Sequence, residues 1–291
     1  MIRGLYSAAS GMFSMERKQE ALADNLANAQ TPGYKKDDTV LRAFPKLLIN
    51  RIRDFNETAN ITKAAGAPKL PVQNVPIGVL VNGVYAQERI PSFNEGTLTE
   101  TNQPLDMAID DQSIPFQTVN GRQIKPAAFF GVQLPNGTMG YTRNGKWDLD
   151  ANGNLVTSDG YRVLGADHRP IQIFGSIAKE DLQISDDGKI TANSVNIGQI
   201  GIAVVQNPNE LRRQGGNVYQ SAAPLPFIQD AGGTNPGVVL HQGYIEQSNV
   251  DPGQTMTEMM ATVKSYEANQ KVIGVYDQSL QQLYSVGKMN G

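Results

Sequence analysis

The residues best suited to bind an ion lie in one short acidic stretch. Asp148, Asp150 and Asn152 precede Gly153, and Asp159 takes the twelfth place, where the calcium loop of EF-hand proteins carries Glu. That spacing predicts a Ca²⁺ site only where a helix flanks the loop on each side. Here the flanking sequences are typical of hairpin strands, and Asp and Asn also favour tight turns. We therefore interpret the stretch as a hairpin, with a calcium-binding β-rich surface or adhesin module as the alternative.

Other groups that could carry catalysis are few and scattered. The two histidines, His168 and His241, stand alone and 73 residues apart, and the chain has no cysteine. The glycine patterns of dinucleotide and phosphate loops and the nucleophile elbow of hydrolases are missing. The sequence therefore predicts no enzyme, no catalytic residue and no cofactor, and its weak metal candidates are the four oxygen-bearing residues named above.

The composition of the chain limits which classes of partner it could bind. The chain has 291 residues, a net charge of −3 and 40% hydrophobic residues, which suits a folded protein and gives no basic attraction to nucleic acid. No stretch approaches the 18 apolar residues of a transmembrane helix. The first 20 residues lack the apolar core of a cleavable signal peptide. We expect a cytoplasmic protein, or one exported by a route that needs no such signal.

The N-terminal segment has the pattern of a long helix. Apolar residues recur at alternating three- and four-residue intervals from Leu5 to Ala29, which predicts a heptad seam. Residues 31–33, Thr-Pro-Gly, end the helix because proline and glycine propagate it poorly. The polar positions near this end are mostly amides, such as Asn25 and Asn28, rather than charges. These amides are expected to contact protein rather than water.

A second seam occupies the other end of the chain. Asp251 is a good N-cap, Pro252 suits the first helical turn, and apolar residues recur from Met256 to Leu280. Neither seam has a helical core nearby in sequence. The two helices are therefore expected to pair as an antiparallel coiled coil. Their outer faces would stay exposed in one molecule, so we expect burial to be completed in a homo-oligomer.

The centre of the chain has the sequence pattern of β structure. Seven Asn-Gly or Asp-Gly pairs lie between positions 82 and 188, with short apolar runs between them, which predicts a meander of hairpins. The fold class is predicted as α+β, with N- and C-terminal helices and a central all-β domain. The predicted boundaries are as follows: a helical domain at 1–35 and 246–291, an extended arm or linker at 36–95, and the β domain at 96–245.

The two terminal stretches resemble the signatures of a known family. Residues 24–35, DNLANAQTPGYK, resemble the N-terminal signature of bacterial flagellar axial proteins, the rod and hook family. Residues 243–273 are similar to that family's C-terminal signature, and residues 96–109 and 141–165 to its β domain. The sequence departs from the family pattern at residues 110–125, which leaves the local β topology open.

The resemblance implies a function. The length and the stretch at 41–52 are similar to rod-type hook–basal-body proteins of Gram-positive bacteria. Such a subunit would stack helically into the hollow shaft that carries torque from motor to hook and lets later subunits pass. It would leave the cell through the flagellar type III export apparatus, without a cleaved signal, for the basal body in the cell envelope. Its partners would be copies of itself and other rod and hook subunits, not nucleic acid.

We expect the assembly interface to draw on both terminal segments. The residues expected to form it are Leu5, Met12, Leu22, Asn25, Leu26, Asn28, Pro32, Gly33, Tyr34, Asn249, Met256, Val263, Asn269, Ile273 and Leu280.

Overall fold

The fold is α+β, with a long helix near each end of the sequence and β structure between them. The computed structural model describes residues 2–45, 47–51, 75–80, 83–119, 121–173, 179–193, 195–215, 217–229 and 237–289. The helices are α1, Ile2–Ala27, and α2, Pro252–Met289, with short 3₁₀ turns at Lys179–Asp181 and Pro208–Glu210.

The strands of the first half are β1 (Asp37–Ala43), β2 (Leu47–Arg51), β3 (Val75–Leu80), β4 (Val84–Pro91), β5 (Leu98–Glu100), β6 (Met107–Asp110), β7 (Gln117–Val119), β8 (Arg122–Ile124), β9 (Ala127–Gln133), β10 (Met139–Thr142) and β11 (Trp147–Leu149). The later strands are β12 (Leu155–Thr157), β13 (Arg162–Val163), β14 (Leu182–Ile184), β15 (Lys189–Ala192), β16 (Val195–Gln199), β17 (Ile202–Val205), β18 (Arg212–Gly215), β19 (Val218–Gln220), β20 (Val239–Gln242) and β21 (Tyr244–Glu246).

Helix α2 begins where the sequence predicts, at the Asp251 cap, whereas α1 ends four residues before the predicted stop. The Asp251 carboxylate accepts hydrogen bonds from the backbone N–H groups of Gly253, at 2.8 Å, and Gln254, at 3.1 Å. These bonds satisfy two of the N–H groups that a helix start leaves unpaired. Helix α1 gives way after Ala27 to turns that reach Gly33, whose φ is +68°. The helix therefore ends at Ala27, before the predicted stop at Thr-Pro-Gly, which instead lies in the turns that follow.

The largest sheet is organised around β9. Its eight strands run β11-β12-β13-β9-β10-β19-β18, and β17 also pairs with β9. One edge of β9 pairs with β10, while β13 and β17 share the other edge, and each of these pairings is antiparallel. Strand β9 is apolar and buried along almost its whole length, and because successive side chains point to opposite faces, both faces of this strand are covered.

The predicted meander is confirmed for much of this sheet, with one exception. Strands β11, β12 and β13 follow one another as antiparallel neighbours, and Gly153 and Gly160 take the positive φ of their tight turns. The Asn144-Gly145 pair does not make such a turn. A Cβ at Gly145 would overlap the Met107 carbonyl oxygen and lie 2.7 Å from its carbon. This glycine serves a close backbone approach instead.

The described β region contains three hydrophobic clusters, and aromatic contacts stand out in two of them. In the larger one, the rings of Phe130 and Trp147 meet edge to face with centroids 4.7 Å apart. In the second, Phe93, Phe129 and Tyr219 form a trio of edge-on contacts between 5.3 and 5.8 Å. Such aromatic pairs stabilise a core by about 0.5–1.5 kcal/mol beyond the area they bury.

The chain divides into two compact units. The first comprises residues 1–20, 39–89 and 258–291, and the second comprises residues 21–38 and 90–257. The predicted arm at 36–95 contains strands β1 to β4, in which β1 pairs with β4 and β2 with β3. Residues 46, 52–74 and 81–82 of that arm lie outside the described residues. The predicted domain boundaries stay predictions.

Candidate assembly surface

Both terminal helices carry large apolar side chains that the single chain leaves exposed. Over the described residues these are Tyr6 and Phe13 on α1, and Met256, Met260, Val272, Val275, Leu280, Leu283, Tyr284 and Val286 on α2. Soluble helices normally hide most such side chains, and exposed apolar surface beyond scattered single residues marks a site of association. We call these ten residues the exposed apolar set.

Within the first compact unit, two glycines of α1 lie against side chains of α2. A Cβ at Gly4 would overlap the Tyr276 hydroxyl and lie 2.8 Å from its ring carbon Cζ. A Cβ at Gly11 would lie 2.9 Å from the side-chain nitrogen of Asn269. The absence of a side chain at these two positions therefore leaves room for Tyr276 and Asn269 to lie against α1.

The predicted interface residues on the helices differ in exposure. Leu22 is buried, whereas Met256 and Leu280 are 57% and 51% exposed. Intermediate burial is shared by Leu5, Met12, Leu26, Asn28, Val263, Asn269 and Ile273. Met256 and Leu280 would therefore need other molecules for their burial.

Asn25 explains why amides stand near the end of α1. Its side chain is 0% exposed, and its Nδ2 donates to the Asp37 carbonyl at 2.9 Å. Its Oδ1 accepts from the Asp37 backbone N–H at 2.8 Å and from the Tyr34 hydroxyl at 3.2 Å. An amide can donate and accept at once, so one side chain satisfies three groups of the segment that follows the helix. A charged side chain could not do this.

Arg213 closes the same segment from the β region. Its guanidinium donates to the Asp37 carboxylate at 2.7 Å, the Lys35 carbonyl at 2.8 Å and the Tyr219 hydroxyl at 3.0 Å. It also lies over the Tyr34 ring, with Cζ 4.7 Å from the centroid. Burial outweighs the nearby cation of Arg213 and raises the pKa of Tyr219 to about 12. Its phenol stays protonated at neutral pH.

A buried group of charges lies next to this segment. The Lys35 ammonium is 2.5 Å from Glu246 Oε1, and Arg143 Nε donates to Glu246 Oε2 at 2.8 Å. These three side chains are each 1% exposed. The Asn94 carbonyl also accepts from Lys35, and the Gly96 N–H donates to Glu246. Every formal charge at this point therefore has an opposite charge and further hydrogen bonds.

Asp111 completes this buried charge group. Its Oδ2 accepts from Arg143 Nη1 at 2.8 Å and from the Ala128 N–H at 3.1 Å. Its Oδ1 is 3.3 Å from the ammonium of Lys125. Asp111 and Lys125 both belong to the stretch that departs from the family pattern, so this departure supplies part of the group that surrounds Arg143.

The buried charges act on one another. Burial alone would raise the pKa of Glu246, but the cations of Arg143 and Lys35 outweigh it and hold that pKa below the ordinary value. Burial, reinforced by the charge of Arg143, lowers the pKa of Lys35 to about 8. At neutral pH, therefore, Glu246 is ionised and Lys35 is protonated.

Three further predicted residues lie in this region. Gly33 donates its N–H to the Glu246 carbonyl at 2.8 Å, and its positive φ brings it within contact of the Arg143 backbone. The Pro32 carbonyl accepts from the Asn217 side chain at 3.0 Å. Asn249 accepts from the Lys36 N–H at 2.7 Å and donates to the Ser92 carbonyl at 2.8 Å. These residues join the segments that follow α1 and precede α2.

The acidic stretch at 148–159 is a hairpin between β11 and β12. Asp150 accepts from the backbone N–H groups of Asn152 at 2.7 Å and Asn154 at 2.8 Å, and from the Asn154 amide at 2.7 Å. Asp148 is paired with Lys179 at 2.5 Å. These contacts hold the pKa of both carboxyl groups below the ordinary value, through the Asn154 amide for Asp150 and through Lys179 for Asp148. The hairpin interpretation is confirmed.

The histidines and the candidate ligands stay dispersed. His168 stacks on Phe227 with ring centroids 4.4 Å apart, and His241 lies 3.9 Å from Asp110. In the part of the chain that the structure describes, no three side chains of His, Cys, Asp or Glu are grouped as metal ligands would be. Over the same residues, neither helix has the length and apolar character needed to cross a bilayer.

Three family models match separate parts of the sequence. They are described as the flagella basal body rod protein (residues 5–35), the flagellar hook protein FlgE/F/G D1 domain (residues 123–192) and the flagellar basal body rod FlgEFG protein C-terminal region (residues 241–286). The first and third cover most of each helix and the segments that join the helices to the β region.

Full-length relatives agree with these matches. The chain is 34% identical to the flagellar hook-basal body complex protein FlhO of Bacillus subtilis over 96% of each chain. It is 32% identical to the flagellar basal-body rod protein FlgG of Caulobacter vibrioides, over 96% of this chain and 97% of that one. It is 31% identical to FlgG of Buchnera aphidicola subsp. Schizaphis graminum, over 97% and 99%.

Proposed function

The chain belongs to the flagellar hook and basal-body rod protein family, and from that premise we propose that it is a structural subunit of the flagellar rod. In this role it carries out no catalysis and needs no cofactor. The observation that carries the proposal is the exposed apolar set on helices α1 and α2. Those helices lie in the parts of the sequence that match the rod-protein models.

The terminal helices pair as an antiparallel coiled coil in this proposal. Support comes from the two glycine contacts, because the order of partners is reversed: Gly4 meets Tyr276 and the later Gly11 meets the earlier Asn269. The pair leaves the exposed apolar set outside. Copies stacked helically would cover it, and buried apolar area stabilises such contacts by about 25 cal/mol per Å².

Assembly of this kind yields a hollow shaft. This shaft transmits torque from motor to hook while later subunits pass through its bore. The partners are copies of this chain, the rod and hook subunits above and below, and the type III export apparatus. The location is the basal body in the cell envelope, reached without a cleaved signal peptide.

The experiment is electron microscopy of basal bodies from cells that lack the gene. We expect rods to be missing or truncated, and to return with the wild-type gene. Intact rods in the deletion strain would overturn the proposal.

Complementation with matched variants tests the surface itself. The double variant Val275→Lys/Leu283→Lys places two charges in the exposed apolar set and is expected to restore no rods. The control Gln278→Lys/Gln282→Lys adds the same charges to the same helix at exposed polar positions. It is expected to restore them.

A further inference from the structure

The two glycine contacts have matching spacing. Gly4 and Gly11 are seven residues apart on α1, and their partners Tyr276 and Asn269 are seven residues apart on α2. Seven residues are close to two helical turns, so each pair of positions lies on one face of its helix. Two contacts of the same spacing on both helices define one register between them.

Glycine in a helix interior needs a physical reason, since it costs about 1 kcal/mol relative to Ala. At Gly4 and Gly11 the reason is space, because an added Cβ would meet the ring of Tyr276 or the amide of Asn269. By contrast, a Cβ at Gly274 or Gly287 of α2 would meet nothing within 4 Å. Of these four glycines, the two of α1 are the ones that lie against side chains of the other helix.

A second face of α1 fixes its rotation. Ser14 Oγ donates to the Val84 carbonyl at 3.1 Å, and the Val84 N–H donates to Ser10 Oγ at 3.4 Å. A Cβ at Gly83 would overlap the Ser10 hydroxyl, so the chain before β4 also lies close to this face. With the serine face held by β4, the glycine face is presented to α2.

We propose that Gly4 and Gly11 are positioning residues that set the register of α1 against α2 by receiving Tyr276 and Asn269. The consequence for assembly rests on the proposed function. Tyr6 and Phe13 are also seven residues apart on α1 and stay exposed. The register decides which exposed residues of α2 lie level with them, and so which composite surface a neighbouring copy meets.

The register is measured by disulfide formation. The chain contains no cysteine, so a pair introduced by mutation reports on itself alone. In the proposed register residue 8 lies level with residues 272–273, so Ala8→Cys/Ile273→Cys is the test pair. Ala8→Cys/Tyr266→Cys and Ala8→Cys/Leu280→Cys are displaced by one heptad in each direction and are the controls. Each purified full-length variant is oxidised when dilute, and intrachain product is measured by mass spectrometry.

We expect intrachain product for the 8/273 pair and little for the 8/266 and 8/280 pairs. Adding Gly4→Ala to the 8/273 pair should lower its yield by roughly tenfold, the scale of overpacking a close contact. Adding Gly274→Ala should leave the yield unchanged. Removing the ring with Tyr276→Ala in the Gly4→Ala background should restore it in part, because the overlap is then gone.

Three results would each overturn the register proposal. They are equal yields for the three pairs, no product for the 8/273 pair, and the same response to Gly4→Ala and Gly274→Ala. These results concern the folded single chain. The rod function is decided separately by the deletion strain, so either proposal can fail while the other stands.

Discussion

Lys35 and Glu246 lie 211 residues apart in the sequence, yet the ammonium of one is 2.5 Å from the carboxylate of the other and both are buried. Lys35 follows the turn after α1, and Glu246 ends β21 shortly before α2 begins. The pair therefore ties the outgoing and returning segments of the chain to each other, with Arg143 of the β region as the third member.

Replacing Glu246 tests this tie. Glu246→Gln removes the carboxylate that contacts both Lys35 and Arg143, and leaves Asp111 as the anion that contacts Arg143. Loss of one member of a buried charge group costs about 3–5 kcal/mol, and we expect a loss of this size in the free energy of unfolding measured with denaturant. Glu267→Gln, which breaks the exposed pair with Lys264, is the control and should change nothing measurable. Equal stability of the two variants would contradict the structural role of the buried pair.

The Glu246 carboxylate also predicts that the stability of the fold decreases at acidic pH. The pKa of Glu246 is lower in the folded chain than its ordinary value of 4.5, so the folded state favours the charged form. Its contribution to stability is complete above pH 4.5 and is lost as the pH falls through the lowered value. Melting temperatures measured from pH 7 to pH 3 should fall more steeply for the wild type than for Glu246→Gln. Parallel curves would show that Glu246 is not the group responsible.

Replacing Asn25 should also lower the free energy of unfolding, because buried hydrogen bonds rather than a charge pair are lost. Asn25→Ala leaves the backbone N–H and carbonyl of Asp37 and the hydroxyl of Tyr34 without this partner, and an unsatisfied buried group costs about 1–3 kcal/mol. We expect a fall in the free energy of unfolding within or above that range. Asn28→Ala is the control, because Asn28 bonds only within its own turn, to Asp24 and Thr31. A milder effect at position 25 than at position 28 would contradict the assignment.

Replacing Gly33 and replacing Gly160 distinguish the cost of backbone strain from the cost of steric overlap. Its φ of +68° disfavours any side chain, and an added Cβ would lie 2.5 Å from the Arg143 carbonyl carbon. Gly160 has a similar φ of +81° but open space around it. Gly160→Ala should therefore cost about 1–2 kcal/mol from conformation alone, and Gly33→Ala clearly more. Thermal unfolding of both variants gives the comparison, and equal shifts would mean that the close approach has no energetic weight.

The hairpin at 148–159 gives a test of the calcium alternative. The turn itself occupies Asp150 with three hydrogen bonds, so Asp150→Ala should lower the melting temperature by the same amount with and without saturating calcium. A ligand that binds the folded state alone would raise it with concentration. A calcium-linked rise in the wild type that disappears in Asp150→Ala would favour the alternative.

Sequence patterns predicted the elements better than the contacts between them. Local rules were sufficient for the Asp251 cap and the hairpin at Asp150, since each depends on neighbouring residues. They placed the end of α1 at residues 31–33, whereas the helix ends at Ala27. They did not reveal Lys35 with Glu246, because no periodicity links two residues so far apart. Arg143 follows directly after strand β10, and nothing in the local sequence indicated that its charged side chain is buried.

The predictions for the two helices were limited in the same way, because sequence patterns do not show which contacts a side chain makes. Counting apolar residues placed Leu5, Met12 and Leu22 on one stripe, but it passed over Gly4 and Gly11, whose importance lies in what they lack. Met256 and Leu280 fit the apolar repeat of α2 and yet are exposed in the single chain. Periodicity identifies an apolar face, but whether that face meets its own chain or another copy depends on the assembly.

The most direct test of the account is hydroxyl-radical footprinting of two exposed tyrosines, Tyr6 and Tyr284, in the free chain and in purified basal bodies. If the terminal helices are buried among neighbouring subunits, both tyrosines are modified readily in the free chain and protected in the assembled rod. Equal modification in the two samples would contradict the claim that assembly buries these helices.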